Sequence, residues 1–542
     1  MDTLLARREH NAALPINQLP DDVLCKIFSI GDADQRNLRR YGLPYIGFQD
    51  FIIQVCHRWR QSALDKPDFW NYIFVSHKSQ NAYLERAQTY LRRAGYSVPL
   101  HIDLELEDPG MSGYIDPYTR EDRLTDARKI LVRLMAFGAP MPRWKSLIAS
   151  SRCPEILFEL IELIKVGYAP ELCFVSLEWN HKHIYCAEDY EARLRVRRQI
   201  AQDPAYSLFP DVLRRPQLRR VDLEQFPAGY LFARQASAVS HLTHLKLTTA
   251  LEKYSVTGLQ IMLAANPQLE SLALHNRESV LDKAESESKL CSVHLPCLRS
   301  FTVGAILNSL WGILILKMVN APGVETFEYI GASDGLYRKV VHYVTHGITH
   351  EETWENIKNL RVFAKKPIYP ALRMLKVGGF CCTDSDIDQL LCDCPEIVSL
   401  DIGGQNIKVL SYVPRRLPKL RHLRVRGPCS GDLSAILDQR RKSGLILGEV
   451  EVTPENDRPV EDVVSQNVWI QNHLDRSYLH QPPEAELAPV NTEIHDELVA
   501  AAHDEPQSPL ERVRTPGSDW SDLSDDDSSW VGSLASSNTY SW

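Results

Sequence analysis

One short apolar pattern recurs along most of this chain: Leu, two residues, Leu, one residue, Leu, usually with Pro or Cys-Pro just ahead. It stands at Leu218/Val221/Leu223, Leu242/Leu245/Leu247, Leu269/Leu272/Leu274 and Leu298/Phe301/Val303. Later copies are Val324/Phe327/Tyr329, Leu372/Leu375/Val377, Ile397/Leu400/Ile402 and Leu420/Leu423/Val425. Upstream, Leu172/Val175/Leu177 fits, and Trp144/Leu147/Ala149 fits weakly. From Leu218 on, the first positions are 24, 27, 29, 26, 48, 25 and 23 residues apart. The 48 reads as two periods with a degenerate copy between them, and Trp179 to Pro216 as a long insertion.

The final Leu-x-Leu of each copy alternates at strand period, so the leucines point inward and the residues between them outward. Asp222, Lys246, Thr302, Lys376, Asp401 and Arg424 are therefore the residues expected to meet a partner on the outward face. Helical patterns fill the gaps between strands. In Thr383 to Pro395, Ile387, Leu390 and Leu391 fall at i, i+3, i+4, with acids in the first turn and a proline that ends the run. Val256 to Pro267 repeats the arrangement with Leu259, Met262 and Leu263. One strand and one helix cannot bury their own apolar faces, so neighbours must stack. The expectation is an α/β chain whose residues 98–452 form a curved, irregular solenoid with a strand and a helix per repeat.

The stretch Ile387 to Ile402, a helix closing on Cys-Pro before a strand, resembles the cysteine-containing subclass of leucine-rich repeats. The repeat spacings also fall close to the roughly 20–29 residues of that class.

A different pattern opens the chain. In Leu19-Pro20-Asp21-Asp22-Val23-Leu24-Cys-Lys-Ile27-Phe28, Pro20 suits a first helical position and the two acids suit a helix N-terminus. Leu24, Ile27 and Phe28 form an apolar stripe. A second helical segment, Phe51 to Leu64, puts Val55, Trp59 and Ala63 on one face, and Pro67-Asp-Phe69-Trp70 ends it. These pieces, with Cys56 and Arg58-Trp59-Arg60, resemble the F-box family over residues 14–75. The resemblance implies a small helical unit that docks on the Skp-type adaptor of a cullin-RING ubiquitin ligase. It carries the adaptor contact to Leu19, Pro20, Leu24, Ile27, Phe28, Val55, Cys56, Trp59 and Leu64. Gly31 to Asp50 is longer than the usual connection and resembles the extended F-boxes of fungal repertoires.

Beyond about residue 453 the repeat pattern is lost, and a Ser/Asp tract runs from Ser518 to Ser529. Such a composition cannot offset its ordering entropy, so residues 453–542 are expected to be disordered. Ser508 and Thr515 precede prolines, and Ser521 and Ser524 precede acids, so all four are candidate phosphosites, while a plain solubilising acidic tail is the simpler reading of the composition.

Several function classes are disfavoured. A net charge of -9 argues against nucleic acid as a partner. No apolar run reaches the roughly 18 residues of a membrane span. Twelve cysteines without a Cys-x-x-Cys pair read as free thiols of a cytosolic or nuclear protein. His181, His183 and Cys186 lack the second half of a metal-ligand set. Asp384, Asp386 and Asp388 mimic a calcium loop, but Gln389 and Pro395 stand where Gly and Glu are needed. No phosphate-binding loop, dinucleotide fingerprint or nucleophile elbow occurs, so neither a cofactor nor catalysis is expected.

The order of parts implies a non-catalytic substrate receptor: the F-box-like unit holds the adaptor and the repeats hold a protein target. The alternative is a leucine-rich scaffold with no ligase role. The two part on whether Leu19, Leu24, Ile27, Val55 and Trp59 form an exposed apolar patch.

Overall fold

The computed structural model describes residues 10–11, 13–40, 47–76, 80–106, 117–151, 154–179, 217–225, 239–249, 256–276, 291–305, 309–331, 337–347, 367–377, 383–412, 417–427, 433–445 and 447–453. All of them belong to the first of two units into which the chain divides, Met1–Arg476 and Ser477–Trp542. The expected tail, its phosphosites Ser508, Thr515, Ser521 and Ser524, the 180–216 insertion and the His181/His183/Cys186 group lie outside the described residues.

Among the described residues a short 3-10 turn, Pro15–Gln18, precedes three helices, α1 (Asp21–Arg40), α2 (Phe48–Val55) and α3 (His57–Leu64). A mixed α/β region follows. Its strands are β1 (Tyr72–Ser76), β2 (Leu100–Glu105), β3 (Trp144–Ser151), β4 (Phe174–Trp179), β5 (Arg220–Glu224), β6 (His244–Thr249) and β7 (Ser271–Asn276). Then come β8 (Val293–His294), β9 (Ser300–Ala305), β10 (Val319–Asn320), β11 (Thr326–Gly331), β12 (Met374–Val377), β13 (Ser399–Gly403), β14 (His422–Arg426) and β15 (Glu449–Thr453). Between them lie α4 (Gln80–Ala94), α5 (Pro117–Ala136), α6 (Pro154–Val166), α7 (Val256–Ala264), α8 (Ser309–Met318), α9 (Tyr337–His346), α10 (Asp384–Asp393), α11 (Val409–Tyr412) and α12 (Leu433–Lys442).

Thirteen strands make one sheet in chain order, β1 to β15 without the short β8/β10 pair, and every pairing is parallel. The register aligns the repeats. Leu223, Leu247, Leu274, Val303 and Tyr329 fall in one row across successive strands, and all are buried. The buried faces of α7 (Val256, Leu259, Met262, Leu263) and α10 (Ile387, Leu390, Leu391) join the same core. A parallel strand needs a long crossover to reach its neighbour, and α7 and α10 supply two of them on the leucine side of the sheet.

Three expectations need correction. First, β11 pairs with β12 directly, Thr326 against Met374, so the 48-residue spacing is one long repeat with no copy missing. Second, Phe51 to Leu64 is not one helix. Cys56 is extended (φ -156°) and starts α3 by accepting the Trp59 N–H on its sulfur, so Val55 and Trp59 belong to different helices. Third, the sheet begins at β1, inside the region assigned to the helical unit.

That junction is built from polar contacts around buried aromatics. Trp70 is fully buried, donates to the Ala63 carbonyl at 2.9 Å, and meets Tyr90 of α4 edge-on at 5.1 Å. Asp50 of α2 takes Arg86 at 2.8 Å and the Tyr90 hydroxyl at 2.9 Å. Gly47, at φ 50°, leaves no room for a Cβ beside Arg86, so glycine is required where α2 begins.

Candidate functional site

Two surfaces concentrate the residues singled out above. The first is the helical unit. Ile27, Val55 and Leu64 are exposed, by 39%, 53% and 37%. Pro20 is exposed and Leu19 half-buried. Leu24 and Phe28 are not on this surface: they are 0% and 2% exposed and lie in the core. The reason is helical geometry. Residues 24 and 28 sit about 100° round α1 from 23, 27 and 30, and only the latter stripe faces outward. Val23 (41%) and Ile30 (53%) were missed, as were Phe51 (50%), Leu14 and Ile16. The i, i+4, i+7 spacing of Val23, Ile27 and Ile30 was the available signal.

Trp59 and Cys56 are half-buried and serve the fold of the unit. The Trp59 indole donates to Asn17 Oδ1 at 2.7 Å, and its ring lies 5.1 Å from that of Phe28. Arg58 ties the preceding segment down through Asp21 at 2.7 Å and the carbonyls of Asn17 and Leu19. Cys25 of α1 has its thiol pushed up by burial.

The second surface is the open face of the sheet. The register places Asp222, Lys246, Thr302, Lys376, Asp401 and Arg424 in one row, together with Ala273, Glu328 and Glu451. Their charges are arranged in pairs. Lys246 lies 2.9 Å from Glu224 and 3.7 Å from Asp222. Burial pulls the Lys246 ammonium down, but Asp222 and Glu224 together raise it above its ordinary value. Asp222 is raised by its own burial, which outweighs the lysine. Thr302 donates to Glu328 at 3.5 Å, and Lys376 lies 3.7 Å from the same carboxylate. Arg424 forks onto Glu451 at 2.6 and 2.8 Å. Asp401 departs from the expectation of an accessible contact. It is 5% exposed because Arg426 donates twice to its Oδ2, at 2.6 and 3.0 Å.

Among the described residues a hydroxyl meets an imidazole at His101, at His244, where Thr243 Oγ1 lies 2.9 Å away, and at His346, where Thr345 Oγ1 lies 2.6 Å away. His101 Nδ1 lies 2.8 Å from Ser146 Oγ. Burial, with Arg36 and Lys145 nearby, lowers the His101 imidazole to about 4. A base that weak leaves Ser146 unactivated at neutral pH. Cys394 is buried, and its thiol is pushed up to about 12 by burial. The acids of α10 serve its N-terminus, where Thr383 caps the Asp386 N–H at 3.3 Å. Among the described residues no group of three or more His, Cys, Asp or Glu is placed to hold a metal ion, and no helix is long and apolar enough to cross a membrane.

Comparison with protein-family models gives no match, and comparison with curated proteins gives none either.

Proposed function

We propose that the chain is a non-catalytic substrate-recognition subunit of an SCF-type ubiquitin ligase. The helical unit docks a Skp-type adaptor, and the sheet, as the inner face of a leucine-rich-repeat solenoid, holds a protein target. The observation that carries this reading is where apolar surface remains uncovered. Of the twelve large apolar residues that are exposed among the described ones, eight fall between Leu14 and Leu64. Singly exposed apolar residues are ordinary, whereas such a concentration on one small unit marks a docking surface. The outward row of mixed charge suits recognition of a protein through matched pairs rather than of a polyanion. Transfer of ubiquitin would be the work of other subunits, with this chain supplying proximity.

One observation favours the scaffold alternative. Leu24 and Phe28, central to the F-box resemblance, are occupied in the core, so the resemblance survives there as a folding motif alone. The exposed stripe decides between the two. Purified Skp-type adaptor should be retained by the wild-type chain and released by Ile27→Asp/Val55→Asp, two changes at exposed positions that leave the circular dichroism spectrum unchanged. A folded wild-type chain that retains no adaptor leaves only the scaffold.

A further inference from the structure

Helix α9 buries Val340, Val341 and Val344, and the neighbouring stripe round the helix carries His342 and His346. Both rings are half-buried, so part of each meets solvent. They stack, with centroids 4.2 Å apart and planes within 2° of parallel. Four residues is about one helical turn, and it is the spacing at which two histidines on one helix share a single metal ion.

The bonding around His346 fixes its proton. Its Nδ1 lies 3.2 Å from the His342 carbonyl, which can only accept, and 2.6 Å from Thr345 Oγ1. The Thr345 hydroxyl spends its own proton on the carbonyls of Val341, at 3.0 Å, and His342, at 3.2 Å. In the neutral His346 ring Nδ1 therefore carries the hydrogen and Nε2 the lone pair. A backbone carbonyl holding the far nitrogen is a usual support of a metal-bound imidazole. Gly347, at φ 74°, closes the helix by donating to the Tyr343 carbonyl at 2.8 Å. The pair thus occupies the last turn, where the helix dipole favours a cation. Arg338, one turn before His342, is turned to Asp386 of α10 at 3.2 Å.

We propose that His342 and His346 chelate one divalent transition-metal ion of the zinc class. Two imidazoles suit Zn²⁺, Ni²⁺ or Cu²⁺ rather than the oxygen-seeking Mg²⁺. His346 binds through Nε2 at about 2.0–2.1 Å, and the His342 ring tilts off the stack until its lone pair points at the same ion. Among the described residues no third His, Cys, Asp or Glu completes a ligand group, so water fills the other positions. Tyr343 stands where a metalloprotease helix carries its glutamate, so the site binds an ion without a general base in that place. It is separate from the adaptor and target surfaces and does not depend on them.

Zinc chloride titrated calorimetrically into the full chain tests it, beside His342→Gln and His346→Gln variants that keep the wild-type circular dichroism spectrum. The wild type should bind one more equivalent of zinc than either variant, with a Kd below about 100 µM. Each substitution should weaken that equivalent roughly tenfold or more, since a single imidazole cannot chelate. Equal stoichiometry and affinity in the wild type and either variant overturns the proposal. A second readout needs no variant. Diethyl pyrocarbonate labels accessible imidazoles, and a ring nitrogen open to zinc is open to the reagent. Zinc, and not magnesium at the same concentration, should suppress labelling of His342 and His346 together. Labelling of the pair that zinc leaves unchanged overturns the site, and equal protection by magnesium overturns its metal class.

Discussion

Asn266 shows how much one polar side chain does inside this core. It is fully buried, takes the Leu242 N–H at 2.8 Å, and donates to the carbonyls of Val239 at 3.0 Å and Met262 at 2.8 Å. It therefore ties the turn before β6 to the end of α7. Asn266→Ala should cost about 3 kcal/mol, because it removes three buried hydrogen bonds at once, and urea unfolding will measure it. Leu24 and Ile27 make a contrasting pair. Leu24→Ala should lose about 2–5 kcal/mol, whereas Ile27→Ala should change stability by less than about 0.5 kcal/mol, in the same measurement. His101 gives a pH signature. Its folded pKa, about 4, lies below the ordinary 6.5, so its contribution is complete above pH 6.5 and is lost as pH falls toward 4. Between pH 7.5 and 4.5 the wild type should lose roughly 2–3 kcal/mol more than His101→Gln. Residue identity was legible where a period existed: every outward residue read from the alternation lands in one row. Burial within a row was not, because Arg426, which covers Asp401, comes from the next turn of the pattern two residues beyond Arg424.

Elements were legible in proportion to their repetition. Strands β5 to β7, β9 and β11 to β14 follow from the recurring motif, and α7 and α10 from their 3.6-residue stripes. β1 carries no such signal, because all five of its residues are buried, which erases the alternation that marks a strand. The break between α2 and α3 was invisible for another reason. Its signal is the backbone of Cys56, a residue type outside the usual capping set. Cys56→Ser should hold or improve stability, since a hydroxyl is the better acceptor, while Cys56→Ala should lose about 0.5–1 kcal/mol. Thermal unfolding monitored by circular dichroism will separate them. Thr383 offers the orthodox comparison, with Thr383→Ala costing about 1 kcal/mol at the start of α10.

At the scale of the molecule, the thirteen described strands form a parallel sheet whose first and last members, β1 and β15, are protected differently. At β15 the outward Glu449 and Glu451 put charge on the last strand, where His422 and Arg424 meet them from β14. At β1 the outward Tyr72 and Phe74 are buried, Tyr72 under Arg36 of α1 and Phe74 against Tyr83 of α4 at 5.2 Å. A chain that begins at Asn71 should therefore precipitate where the full chain stays in solution, and the soluble fraction after centrifugation checks it. Strand order has a consequence in time as well as in space. Because neighbours in the sheet are neighbours in the chain, a polypeptide emerging at about 5–20 residues per second delivers its strands in the order in which they pair. The helical unit leaves the ribosome before the strands and brings Arg36 to cover Tyr72 of β1. Each later repeat then arrives within seconds against an edge that is already formed, so at any moment of synthesis a single growing end is open to mispairing.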